Sequence, residues 1–547
     1  MQKKVSDWLH QPMNVLFFKL SVIAISLSYF AHNMLVHLYD TDTYFLIDTG
    51  REIIKRGDVI RENIWSCVPG MKFVAQQWLY CVVTAFMQDT FGALGMFFLM
   101  FVQIAAYYLL AVHLMKKLGL DSVLRWLLAT VVVILGQSYL FSTRPETITI
   151  IFFILLALCL EKFKETDKWY WLLGIPVLNV LEVNFHSSMW LFHYAIIFAY
   201  LVPAFYWPWK AKETKKIKWK SVAVASILSL PTLLINPYGL DGALYIVNSY
   251  RAKTFDWVMI SEMQATQIMS IYGVCALVGV LILIVSSLMK SSKSTSVNMT
   301  LGFSLLMAMA VRNNMFLLFS LIYPLADLGC AIVDKGIKIN WKKDLNRAVC
   351  ILLIAADVFF IGLLYDRFDY IDGGNEGRVE DSVAFAKNMN TIVDYLDDNA
   401  EEGVKILSGF DSGAYLEYRG YRNLFIDARP ECYMKPITGN KNLLAEYSMY
   451  CTRGVRLVQK KGEPYMLTTE EVEAWFAKYD FDYIVVDSGI DCFLAGYMYS
   501  SPNYVLAPGS EDVIDEPWLL FERIDRVEAR EEAAAQSEAE ANEILEE

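Results

Sequence analysis

The chain has 547 residues and a mean hydropathy of +0.34, with 55% of its residues hydrophobic and only 20% charged. A soluble domain carries about 25% charge and keeps its apolar runs short. Here apolar runs long enough to cross a bilayer recur, which excludes a soluble globular enzyme, and excludes low-complexity disorder except at the extreme C-terminus. The net charge of −12 divides unevenly: residues 367–547 hold 17 basic and 37 acidic side chains, residues 1–366 hold 31 and 23. A mildly basic membrane part is joined to an acidic, water-soluble part.

A helix needs roughly 20 apolar residues to cross the hydrocarbon. The runs predict about eleven spans, an α-helical polytopic membrane protein, at roughly 14–36, 93–115, 122–141, 146–161, 169–186, 188–207, 221–236, 267–289, 299–312, 315–333 and 347–366. The first run is long and no small-residue cleavage site follows it, so it reads as a signal anchor. The basic clusters, from Lys3-Lys4 to Lys335–Arg347, all fall on one side of this eleven-span arrangement. Lys and Arg in short loops stay cytoplasmic. The N-terminus is therefore expected inside the plasma membrane and the acidic C-terminal part outside it.

A large first outer loop, 37–92, opens with Asp40-Thr41-Asp42. Tyr44, Ile47 and Ile54 share one helical face, Leu46 and Ile53 another, and Lys55-Arg56-Gly57 is a stop signal. This predicts an amphipathic helix lying on the membrane surface. The apolar stretch 76–88 is too short to span and is expected to be interfacial or re-entrant. More polar groups collect at outer span ends: Arg144-Pro145-Glu146, Glu182 to His186, Asn236-Pro237-Tyr238-Gly239, Ser261-Glu262 and Arg312-Asn313-Asn314. Ionisable groups at such places are costly and mark function. The carboxylates suit a general base, and Arg and His suit an anionic phosphate. The plainer readings are that Asp40 and Asp42 cap a helix, Arg144 pairs with Glu146 or snorkels, His186 is a hydrogen-bonded helix end, and Asn236–Gly239 is a turn.

Residues 367–525 alternate helical patterns (380–398, 469–479) with strand patterns (404–408, 423–427, 482–487), which predicts a C-terminal soluble α/β domain with a partly parallel sheet. Asp427 and Asp487 stand at strand ends, where ligand groups, caps and ion pairs are all found. Residues 526–547 form an acidic Glu/Ala-rich tail, a solvated helix or disordered. The nine cysteines show no metal-ligand spacing. Cys67, Cys432, Cys451 and Cys492 face outward, where a disulfide is permitted but its pairing is not readable.

These residues resemble the GT-C superfamily of membrane glycosyltransferases, which includes protein mannosyltransferases, lipid A aminoarabinose transferases and uncharacterised bacterial members of the cell envelope. The similarity runs through Asp40/Asp42, Gly50-Arg51, Trp78, Arg144-Pro145, Asn184/His186, Asn236–Gly239 and Arg312-Asn313, and in the C-terminal part through Gly413–Leu416 and Phe425–Arg429. It implies transfer, with inversion, of a sugar from a polyprenyl-phosphate donor to an acceptor hydroxyl on the outer face. It gives Asp40 or Asp42 as the base, and Arg51, Arg144, Glu146, His186, Glu262 and Arg312 as substrate or phosphate ligands. Partners would be membrane lipids, the lipid-linked donor and a glycan, lipid or protein acceptor, with no nucleic acid. No metal or other cofactor is implied as a requirement, although Asp40, Asp42 and Glu262 could hold a divalent ion. One departure is that Ala75-Gln76-Gln77-Trp78 stands where mannosyltransferases carry His-Pro-Pro. A flippase or transporter of lipid-linked substrates, or a polymerase or ligase of polyprenyl-linked glycans, stays open as an alternative.

Overall fold

The computed structural model describes residues 20, 22–31, 38–122, 124–136, 142–202, 217–251, 264–289, 292–334, 384–433, 437, 441–456, 465–507 and 518–546. The expected span at 347–366 and Glu262 lie outside the described residues.

The membrane part is built from apolar helices: α1 (Val22–Ala31), α2 (Thr41–Arg56), α3 (Trp78–Lys117), α4 (Leu124–Leu135), α5 (Glu146–Thr166), α6 (Gly174–Phe185), α7 (Leu191–Leu201), α8 (Trp219–Ser229), α9 (Ile271–Leu288), α10 (Ser294–Met309) and α11 (Ile322–Asp334). By length and apolar composition, two described helical stretches suffice to cross a membrane, Trp78–Lys117 and Val311–Asp334; five others are apolar but shorter. Outward faces carry rows of exposed apolar side chains, such as Phe91, Phe98, Val102 and Leu109 on α3 and Val274, Leu277, Val278, Leu281, Val285 and Leu288 on α9. Such continuous apolar rows belong against lipid rather than water.

The stretch expected to be a short interfacial helix is the first part of α3. It meets the long apolar part at Gly92, whose φ of 61° and ψ of −150° break the helical path, a conformation open to glycine at no steric cost. The helix α2 ends at Arg56, as its stop signal predicts, but it does not lie bare on a surface. Residues 43–50 and Ile53 are buried. One side packs on α3, where a Cβ on Gly50 would stand 2.0 Å from the Cys81 carbonyl oxygen. The other side meets Tyr415 and Tyr418, with ring centroids 4.9 and 5.1 Å from that of Tyr44. The amphipathic pattern was that of a helix with two apolar faces, and a second protein surface takes the one expected to face lipid.

That second surface comes from the C-terminal part: α12 (Ala384–Asn399), β1 (Ile406–Leu407), α13 (Phe410–Tyr418), α14 (Thr469–Tyr479), β2 (Tyr483–Asp487), β3 (Tyr504–Leu506), β4 (Trp518–Arg523) and α15 (Ile524–Glu546). The sheet order is β1-β2-β4-β3, with β1 parallel to β2 and the other pairings antiparallel. The expected strand at 423–427 reduces to bridges at Leu424, which pairs both with Ile406 and with Ser66 of the first loop. A strand pattern there serves two partners at once, so no regular ladder forms. The acidic tail is helical, as α15. Cys67, Cys432, Cys451 and Cys492 are all free thiols. Trp65, Met71 and Phe73 of the first loop share one buried core with Phe425, Trp475 and Phe521, so the loop and the C-terminal part are packed as one body.

Candidate active site

The start of α2 sets the site. Asp40 is extended, with φ −128° and ψ 176°, and caps the helix: its Oδ1 accepts from the Thr43 N–H at 2.9 Å and the Thr43 hydroxyl at 2.7 Å. Its Oδ2 accepts from Arg144 Nε at 2.7 Å, and Arg144 Nη1 reaches Asp42 Oδ2 at 3.1 Å. Arg144 comes from the turn before α5, so one guanidinium bridges both carboxylates and ties the first loop to the third outer end. Its recorded ion pairs are with the two aspartates rather than with Glu146.

Next to this bridge lies a cavity of about 370 Å³. Five of the eight sequence candidates line it: Asp42, Arg144, Glu146, His186 and Arg312. They come from four separate stretches of sequence that share no local signal. Asp40 stands behind the wall, engaged as the helix cap. Arg51 is not brought to the cavity; it makes a two-pronged contact with Asp89, at 2.9 and 2.7 Å, and lies 4.9 Å over the Tyr418 ring. Glu262 lies outside the described residues.

Buried hydrogen bonds fix the membrane-side wall. The Trp78 Nε1–H donates to Asn184 Oδ1 at 2.9 Å, and Asn184 Nδ2 donates to the Ile235 carbonyl at 2.8 Å. The Ser187 N–H donates to the Gln76 carbonyl at 2.8 Å, which brings the Gln-Gln-Trp stretch against His186. Asn236–Gly239 is a turn, closed by Asn236 Oδ1 accepting from the Tyr238 N–H at 2.9 Å.

The opposite wall comes from the C-terminal part, which sequence reasoning did not place in the site. It contributes Asp411, Arg429, Tyr447, Asp487 and Asp491. Burial and the neighbouring Asp487 and Asp40 push the Asp411 carboxyl up, against the Thr41 hydroxyl and Arg144, which pull it down. Burial pushes Asp491 up to about 6, opposed by the Tyr447 hydroxyl that donates to both its oxygens at 2.7 Å. Asp487 closes a turn, accepting from the Gly489 N–H at 2.8 Å, which is the plainer of its two expected roles. Arg429 is buried, with Nε on Asp427 at 2.9 Å, Nη2 on Glu417 and Asp427 at 2.5 Å each, Nη1 on Thr49 at 2.9 Å and its guanidinium 4.0 Å over Trp65. Its one sequence signal was the Phe425–Arg429 run. On the first-loop side, Asp48 accepts from Trp65 and from Arg422, and burial pushes its carboxyl up against both of these contacts.

The residues present do not fit a divalent ion at Asp40/Asp42, because Arg144 already fills the position between the two carboxylates. Among the described residues there is no cluster of three or more His, Cys, Asp or Glu side chains set to hold a metal.

By sequence, no family model and no curated protein matches this chain. By structure, it is similar to the crystal structure of the Archaeoglobus fulgidus oligosaccharyltransferase tethered to an acceptor peptide. The TM-score is 0.51 and the identity 10%, over 92% of this chain and 74% of that one. The fold is GT-C. The ArnT of Cupriavidus metallidurans also matches: its apo structure at TM-score 0.47 and 12% identity covers 95% of this chain and 98% of its own. Its structure with undecaprenyl phosphate matches at TM-score 0.48 and 11% identity, over 93% and 97%. The GT-C neighbours are integral membrane proteins, and the apolar outer faces of α3 and α9 suit the same setting.

Proposed function

We propose that the protein is a membrane glycosyltransferase that moves a sugar from a polyprenyl-phosphate donor to an acceptor hydroxyl, with inversion, on the extracytoplasmic face. The reading takes residues 1–366 as the membrane domain with about eleven spans and a cytoplasmic N-terminus, 367–525 as the outer domain and 526–547 as its tail. The observation that carries it is the convergence of a carboxylate and two guanidinium groups, Asp42, Arg144 and Arg312, on one cavity between the helix bundle and the C-terminal part.

In this reading Asp42, rather than Asp40, is the base. Asp40 is engaged by three hydrogen bonds and stands off the cavity, whereas Asp42 lines it. The acceptor hydroxyl gives its proton to Asp42, its oxygen attacks the anomeric carbon, and polyprenyl phosphate leaves with the bonding electrons. Negative charge grows on the phosphate oxygens as that bond breaks, and fixed cations there lower the barrier. Arg312 and Arg144 are the side chains for it, with Glu146 set to read the sugar; Arg51 falls outside this machinery. The GT-C fold and a neighbour bound to undecaprenyl phosphate agree with a lipid-linked donor.

The test is turnover of a panel of polyprenyl-phosphate sugars by the purified protein in vesicles, wild type beside Arg312→Met. Release of polyprenyl phosphate that falls about 100-fold or more in the variant supports the assignment. No turnover of any donor by wild type, across lipid, glycan and peptide acceptors, contradicts it.

A further inference from the structure

We propose that His186 is held as a neutral ring with the proton on Nδ1, so that its bare Nε2 serves as a hydrogen-bond acceptor for a hydroxyl of the bound sugar. The sugar-reading part rests on the function proposed above; the state of the ring does not. This differs from the role the family resemblance gives it, as a cation for the leaving phosphate.

The inference follows a chain of buried hydrogen bonds inward from the cavity. Asn179 Nδ2 donates to the Tyr194 hydroxyl at 2.8 Å and to Ser229 Oγ at 3.2 Å, which fixes which end of that amide is oxygen. Asn179 Oδ1 therefore accepts from His193 Nδ1, at 3.1 Å, and His193 turns Nε2 toward Glu182 Oε2 at 3.4 Å. Whichever of that pair holds the proton, it sits on the Oε2 side, and Glu182 Oε1 is left as an acceptor. Thr149 donates its one hydroxyl proton to Oε1 at 2.7 Å. The Thr149 oxygen, 3.0 Å from His186 Nδ1, can then only accept, so Nδ1 carries the hydrogen.

With Nδ1 turned to Thr149, Nε2 is the ring nitrogen left for the cavity. It is buried and has no hydrogen-bond partner. A charged ring would bury a second, unpaired N–H close to Arg312, which already supplies positive charge to this wall. The Gln77 Oε1, also buried, without a partner and lining the same cavity, is a second acceptor on the neighbouring stretch. Two unpaired acceptors select a ligand that brings O–H groups. Phosphate at neutral pH brings none that matches them; a sugar ring does.

The experiment is nitrogen NMR of the full chain in lipid nanodiscs with its six histidines labelled, the His186 signals assigned by loss in His186→Gln. The expected result is a protonated Nδ1 and a bare Nε2 at neutral pH, with Thr149→Val removing that preference at His186. A ring protonated on Nε2, or on both nitrogens, overturns the proposal. A polyprenyl-phosphate hexose is expected to shift the Nε2 signal, and bare polyprenyl phosphate is expected to leave it in place. An Nε2 signal that bare polyprenyl phosphate protonates overturns the acceptor role. So does a hexose lipid that binds, as followed by dialysis of radiolabelled lipid, without moving Nε2. If no sugar lipid binds at all, the transferase reading falls and the sugar-acceptor role falls with it, whereas the tautomer result tells the two failures apart.

Discussion

Arg429 is the buried cation that locks the first loop to the C-terminal part, and its removal has a calculable cost. Its side chain meets two carboxylates, Glu417 and Asp427, both fully buried, and covers Trp65 of the first loop. In Arg429→Met the methionine refills much of the volume, but Glu417 and Asp427 lose their common counter-charge, and Tyr433 is left as a partner for Asp427. Removing one partner of a buried ion pair costs about 3–5 kcal/mol. The cost is expected to be greatest above neutral pH. Burial pushes the Glu417 carboxyl up even with Arg429 present, and without the arginine both acids ionise only at the cost of mutual repulsion. A thiol-reactive dye, which reports exposure of the buried Cys432 and Cys451 on heating, reads the effect in detergent. The melting temperature should fall clearly at pH 8 and less at pH 5, and adding Glu417→Gln should recover part of the loss. An unchanged melting temperature at both pH values would refute the lock.

Asp491 sits in the cavity wall with its carboxyl pushed up to about 6, so the folded protein holds that proton more tightly than the unfolded chain does. Its burial is free of cost below about pH 4 and costs progressively more as pH rises through 6, up to about 3 kcal/mol. Asp491→Asn should therefore melt higher than wild type at pH 8 and alike near pH 4; a wild type that is the more stable at pH 8 would contradict this. Arg51 and Asp89 form a partly exposed pair, a class worth about 1 kcal/mol or less. Arg51→Met should keep transfer within about twofold of wild type, measured as kcat/KM for the lipid donor; a tenfold loss would bring Arg51 back into the site.

Much of the membrane part was readable because hydropathy and charge speak locally. The start and stop of α2, the turn at Asn236–Gly239 and the helix at 469–479 follow from residues a few positions apart. The convergence of Asp42, Arg144, Glu146, His186 and Arg312 followed from counting which span ends share a side, not from any local motif. What could not be read was the partner of each surface. Nothing in Tyr44-Phe45-Leu46-Ile47 says that a protein helix rather than lipid covers it. Asp411, Tyr447 and Asp491 carry no pattern linking them to a loop nearly 400 residues earlier. The split strand at Leu424 is the same kind of case, because its propensity was legible and its two partners were not. Arg144 shows the limit most clearly: adjacency suggested Glu146, and the fold chose Asp40 and Asp42 instead.

The most direct measurement is transfer from a competent polyprenyl-phosphate sugar by Asp42→Asn and Asp40→Asn beside wild type, with folding checked by melting. Asparagine caps a helix about as well as aspartate, so both variants should stay folded. The account predicts that Asp42→Asn loses about 100- to 10,000-fold in kcat, the usual worth of a positioned base, and that Asp40→Asn keeps activity within about tenfold. Full activity in Asp42→Asn, or the greater loss in Asp40→Asn, would contradict it.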